Sequence, residues 1–201
     1  LEVRKVAIIS HQTEFSQAIT GFFKEKFTGL GGEIISEDSV APDTIDFRTA
    51  ILKAKNSNPE AIYAPIDRQL GIFFKQMNQS EYGGYVLSSD AVTQEAIDSA
   101  DGGAEGMYYT TFVAPEAAVI QRLKEQYKQK YEKESTLLVY NGYAYDAMLA
   151  LFKAIEQGGD NPESIKDQLY NIKDLPGSLG MITFNEQGSS PKYESVFQVQ
   201  N

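Results

Sequence analysis

His11 is the only histidine of this 201-residue sequence, and there is no cysteine. One imidazole makes neither a metal cluster nor a nucleophile with its base, and no H-E-x-x-H or G-x-S-x-G pattern occurs. His11 therefore reads as an ordinary loop residue. Asp and Glu total 28; at that density carboxylates meet by chance, and the separation that defines a glycosidase is not legible in sequence. The glycines at residues 29–32 close a helical pattern instead of opening one after a strand, so they read as a helix C-cap and not as a phosphate cradle. Residues 98–102 lack the ligand spacing of a calcium loop and read as a turn. The residues therefore yield no catalytic group, metal site or cofactor. More informative are polar groups that end apolar runs: Ser10 and His11 after residues 6–9, Asp67 after Pro65 and Ile66, and Asp90 after Ser88 and Ser89.

The elements that position these groups follow from periodicity. Residues 6–9 (VAII) are a buried-strand run, and Phe15, Ile19, Phe22, Phe23, Phe27 and Leu30 then recur at helical spacing. Strands are expected near 33–40, 59–64, 84–89 and 106–112, and helices over 46–54, 67–77 and 92–100. Strands alternating with helices at this spacing imply βαβ crossovers and a doubly wound, mostly parallel α/β sheet. Beyond Pro115 the texture changes. Two long helical patterns cover 117–131 and 144–156, residues 137–140 are a strand candidate, and a helix lies near 165–170. Two strand-like runs, 180–184 and 193–199, are joined by a turn at 185–188. Three regions result: 1–115, 116–175 and 176–201, with the cut at 113–116.

In such a sheet ligands sit outside the carboxyl ends of the strands. Asp90 there is placed to hold a ligand ammonium by a charge-assisted hydrogen bond, or to N-cap the helix beginning near Val92; both readings stand. Phe15 is either an aromatic wall or the first core position of its helix, the second being favoured by the residue alone.

Eighteen Lys plus Arg against 28 Asp plus Glu give 18 − 28 = −10, which repels nucleic acid and anionic lipid. The apolar runs fall far short of the ~20 residues that span a bilayer. A cysteine-free chain tolerates an oxidising compartment, and an opening of LEVRK without a start Met reads as a processed or excised piece.

Several stretches in order resemble the Leu/Ile/Val-binding family of solute-binding proteins of ABC importers, which have the type I periplasmic binding fold. They are KVAII at 5–9 with the helix to Gly31, Gly32 and Glu33; Asp46-Phe47; PEAIY at 59–63; AEG at 104–106; YAYDA at 143–147; and GMITFNEQG at 180–188. The resemblance implies the second of two lobes that close on a small ligand, most often an amino acid, with a helical segment added. It places Asp90 where the family has the acid that meets the ammonium, and Phe15 and Ile66 at ligand-facing positions where hydroxyl-bearing aromatics occur in some members. Asp67, beside Ile66, belongs to the same candidate set. It further implies the importer's membrane subunits as partners, a periplasmic or extracellular location with a lipoprotein tether compatible, and no enzymatic activity. A sensory receptor of the same fold is the alternative. The first lobe would precede Leu1, and the faces formed by Ile120, Leu123 and Tyr127 and by Tyr145, Met148, Leu149 and Phe152 would then require that lobe, another chain or a second copy to cover them.

Overall fold

Alternate side chains of a strand point to opposite faces of a sheet, and the first strand shows why this sheet must be covered on both. In a computed structural model, which describes residues 1–111, 118–135, 138–190 and 195–200, β1 (Lys5–His11) sends Val6 and Ile8 into one apolar cluster and Ala7 and Ile9 into another. The chain then runs through α1 (Glu14–Gly29), β2 (Glu33–Val40), α2 (Arg48–Asn56), β3 (Ala61–Ala64), α3 (Leu70–Gln79), β4 (Tyr85–Ser88), α4 (Gln94–Ser99) and β5 (Tyr108–Thr111). The strand order is β2-β1-β3-β4-β5-β8, and every pair from β2 to β5 is parallel. The fold is the expected α/β sheet.

Because parallel crossovers are right-handed, reversing direction along the sheet changes the face on which the helix lies. The chain moves from β1 to β2 in one direction and from β2 to β3 in the other. Ile19, Phe23 and Phe27 of α1 accordingly pack with Val6, Ile8 and Tyr63. Phe47 beside α2, with Ile51, Phe73 and Phe74, packs with Ala7, Ile9 and Ile62 on the opposite face. The Phe47 and Phe73 rings meet edge to face, with centroids 5.4 Å apart. The glycines after α1 act as a C-cap: Gly31 has φ of +86°, and the amides of Gly31 and Gly32 donate to Thr28 and Phe27 carbonyls.

Contacts divide the chain into two units, Leu1–Thr111 with Val196–Asn201, and Phe112–Ser195. The cut expected at 113–116 lies outside the described residues. The second unit holds α5 (Ala118–Tyr131), α6 (Leu138–Gly158), α7 (Pro162–Asn171) and a hairpin of β6 (Leu175–Gly177) and β7 (Gly180–Ile182). Two expectations differ here. The strand candidate at 137–140 is, from Leu138 onward, the first turn of α6, because its apolar run continues the helical pattern; residue 137 is outside the described residues. The strand at Gly180 pairs with β6 and not with the last strand; β8 (Ser195–Gln198) joins the large sheet beside β5.

The hairpin is held by Asp146 of α6. This 6% exposed carboxylate accepts the Ser178 amide at 2.5 Å and the Leu179 amide at 3.1 Å, and the Ser178 hydroxyl donates to the Gly142 carbonyl at 3.0 Å. The turn is possible because Gly177 brings no Cβ to a place where one would lie 2.7 Å from the Asp146 oxygens. On α6 the side toward this hairpin is buried at Ala150 and Ala154, whereas Tyr145, Met148 and Phe152 are 46%, 47% and 58% exposed. On α5 Leu123 and Tyr127 are half-buried, and the side chain of Ile120 is outside the described set. Asp146→Ala should destabilise this unit by about 3 kcal/mol, the cost of two amides losing a charged acceptor, with Asp146→Asn costing less. Urea denaturation followed by amide exchange at Ser178 and Leu179 measures both.

Candidate functional site

The strand order reverses between β1 and β3, and an open parallel sheet parts there into a crevice at the carboxyl ends of the two strands. One wall is the end of β1 and the start of α1. Thr13 is the N-cap of α1, its hydroxyl accepting the Ser16 amide at 3.2 Å. The other wall is Pro65, Ile66 and Asp67 after β3.

Asp67 joins the walls. Its Oδ1 receives His11 Nδ1–H at 2.7 Å and its Oδ2 receives the Thr13 hydroxyl at 3.1 Å. Below them the fully buried Ser16 hydroxyl accepts the His11 amide at 2.9 Å and donates to the Pro65 carbonyl. Partial burial pushes the Asp67 carboxyl up, but the bonds from His11 and Thr13 and from its own backbone outweigh burial and hold it below the usual carboxylate range.

His11 is not the loop residue expected. It is the last residue of β1, paired with Val40, and its ring is fully buried against Phe47 with centroids 6.0 Å apart. Its Nε2 has no partner among the described residues. The available signal was positional: a histidine ending one strand and an aspartate just past the end of its neighbour.

Asp90 follows β4, whose Ser88 pairs with Ala64 and donates its hydroxyl to the Ala64 carbonyl at 2.9 Å. The helix-capping alternative is removed, because Thr93 caps α4 by accepting the Ala96 amide at 3.2 Å. The Asp90 carboxylate is half-buried, and its own backbone favours the ionised form. Desolvation pushes its carboxyl above the ordinary range against that weaker effect. A desolvated carboxylate without a cation is electrostatically unsatisfied, and a cationic group from outside the unit would satisfy it.

The other two candidates separate. Phe15, in the first turn of α1, is 38% exposed and stands outside the core clusters, so it is not the core residue that its helical position favoured. Ile66 is fully buried in the main core, and in this unit its side chain supports the crevice from below instead of facing it. Arg68, after Asp67, is exposed.

A family model described as "Periplasmic binding protein" matches residues 1–199. The chain belongs to the periplasmic binding protein family. Among the relatives of this binding protein, Leu/Ile/Val-binding protein homolog 3 of Brucella melitensis is 23% identical over 197 residues, 95% of this chain and 53% of the relative. A leucine-binding protein from Thermotoga maritima superposes with a TM-score of 0.84 at 30% identity, over 99% of this chain and 58% of that one. A branched-chain amino acid transporter substrate-binding protein from Streptococcus pneumoniae, solved with isoleucine, gives a TM-score of 0.82 at 22% identity, over 98% and 57% of the two chains. The chain thus spans little more than half the length of these relatives, and its fold is the type I fold they share. Among the described residues no helix is long and apolar enough to cross a membrane.

The two acids should act on stability with opposite sign. The folded-state pKa of Asp67 lies below its ordinary 3.8, so it stabilises the fold above that pH and the contribution is lost as pH falls through the folded value. The Asp90 pKa lies above 3.8, so ionising it destabilises the empty protein as pH rises from 3.8 through the raised value. Asp67→Asn should therefore lower and Asp90→Asn raise the neutral-pH melting temperature without ligand. Both differences should shrink in melts taken progressively below pH 4.

Proposed function

We propose that this chain is the second lobe and crossover region of an extracytoplasmic solute-binding protein that delivers an amino acid, or a similar small ligand with an ammonium group, to an ABC importer. The observation that carries the reading is Asp90: a half-buried carboxylate just past a strand end, relieved of helix capping by Thr93. An α-ammonium is the group that such a site lacks. Phe15, exposed in the first turn of α1, offers the ring against which the ligand's carbon skeleton packs, and Asp67 holds the N-terminus of that helix through Thr13. Ile66 contributes from the core beneath. Opposite, a first lobe supplies the groups for the ligand carboxylate, and closure about a hinge presents the closed form to the importer's membrane subunits.

The names of the relatives support an amino acid, and the crystal partner of the Streptococcus pneumoniae protein is isoleucine. A fold neighbour from Rhodopseudomonas palustris, 14% identical, was solved with benzoate. An aromatic acid without an ammonium would leave Asp90 desolvated beside a second negative charge, so the geometry favours the amino acid class. The same reading accounts for the apolar side of α6. Tyr145, Met148 and Phe152 are the surface that the first lobe covers, or a second copy where that lobe is lacking.

Two measurements test the reading. On the full-length protein, titration calorimetry with a panel of L-amino acids should find a ligand, and Asp90→Ala should cost about 3 kcal/mol of its binding, as loss of one partner of a buried charge pair does. An unchanged affinity would remove Asp90 from the site. Native mass spectrometry of the 201-residue chain alone should show self-association or a companion chain; a stable lone monomer would contradict the covered α6 face.

A further inference from the structure

Two acids follow neighbouring strands, Asp67 after β3 and Asp90 after β4, and their surroundings are opposite. The Asp67 carboxylate accepts His11 Nδ1–H at 2.7 Å and the Thr13 hydroxyl at 3.1 Å. The Nδ1 proton is present both in the cationic ring and in the neutral tautomer that makes this bond, so the tie does not depend on the charge of His11. Half-buried Asp90 makes no ion pair among the described residues, and Thr93 leaves it no helix to cap. The charged groups on the elements around it are Asp67 and Arg68 after β3, Glu14 in the first turn of α1, Glu95 in the first turn of α4 and the His11 ring. Burial, and none of these charges, sets the Asp90 carboxyl above its ordinary range. At Asp67 burial is outweighed by the bonds from His11 and Thr13, and the carboxyl lies below its ordinary range.

We propose that the site is an acid-release device, in which protonation of Asp90 lets the ligand ammonium go while Asp67, still ionised, keeps the walls of the crevice tied. The inference rests on the reading of Asp90 as the ammonium partner. A protonated carboxyl has no charge to set against an ammonium. In the bound state the ammonium holds Asp90 ionised, so below the pH at which the free acid protonates, binding must expel one proton. The Asp90 O–H bond breaks, the proton passes to solvent, and the carboxylate accepts the ammonium N–H. Affinity then falls by up to about tenfold for each pH unit. Over that range the bonds of Asp67 persist and still join the end of β1 and the N-terminus of α1 to the turn after β3. The recognition group is lost first and the fold afterwards, because the two acids depart from the ordinary carboxylate in opposite directions.

The test is a pH series on the full-length protein, with the neutral L-amino acids as probes because their side chains do not titrate. Side-chain carboxyl NMR of the free protein should place the Asp90 midpoint above 3.8 and the Asp67 midpoint below it. Saturation with the tightest-binding of these amino acids should lower the Asp90 midpoint and leave Asp67 where it was. Calorimetry in two buffers of different ionisation heat should find no proton released near pH 7 and up to one per ligand as pH falls toward 4, with affinity falling in step and far-UV circular dichroism unchanged. Asp90→Asn should bind more weakly near pH 7 and release no proton; where it binds too weakly for calorimetry, the shift of the wild-type Asp90 midpoint decides. The inference is overturned, with the parent reading standing, if Asp90→Ala costs binding near pH 7 but wild-type affinity stays flat as pH falls, or if Asp67 protonates and the dichroism is lost before Asp90 titrates. An Asp90→Ala that binds as the wild type does, or a wild type that binds no amino acid, overturns both.

Discussion

The reversal of direction between β1 and β3 is the constraint on which the rest of the lobe depends. A right-handed chain that fills one side of a sheet and then the other must part its loops where it turns back, and the parting leaves polar backbone at the ends of two buried strands. That backbone cannot stay unsatisfied. Ser16 meets it from the first turn of α1, joining the His11 amide to the Pro65 carbonyl. Above it, Asp67 ties His11 to Thr13, and Thr13 is also the cap of α1. These bonds tie the end of β1, the first turn of α1 and the turn after β3 to one another.

Asp90 is the counterpart of that satisfied network. The neighbouring strand end closes its own hydrogen bonds without it, through Ser88 to the Ala64 carbonyl and Thr93 to α4. An acid left half-desolvated weakens the fold, and under the proposed function the same state favours a cationic partner. The two acids therefore act on stability with opposite sign, as the opposite directions of their pKa shifts express.

The second unit repeats the logic with different parts. Asp146 is buried in a small core and is spent wholly on the amides of a tight turn. The remaining side of α6 keeps its large apolar groups at the surface, and under the proposed function that is the side a first lobe covers.

Much of this was legible in the sequence. The alternation of strand and helix, the switch from period 2 to period 3.6 and the glycine stop after α1 are local signals, and they determined the α/β class and the order of the elements from β1 to β5. The single histidine and the absence of cysteine removed metal-cluster and thiol chemistry, and the ordered motifs pointed to the family. What a residue does at a strand end depends on neighbours far along the chain, and only the tertiary structure decided it. His11 meets Asp67 across 56 positions, Thr93 and not Asp90 caps α4, Ile66 turns into the core while Phe15 turns out, and β7 pairs with β6 while β8 crosses to the large sheet. Periodicity records which face of an element is buried, whereas the pairing of polar groups is set by the register of strands that no local pattern encodes.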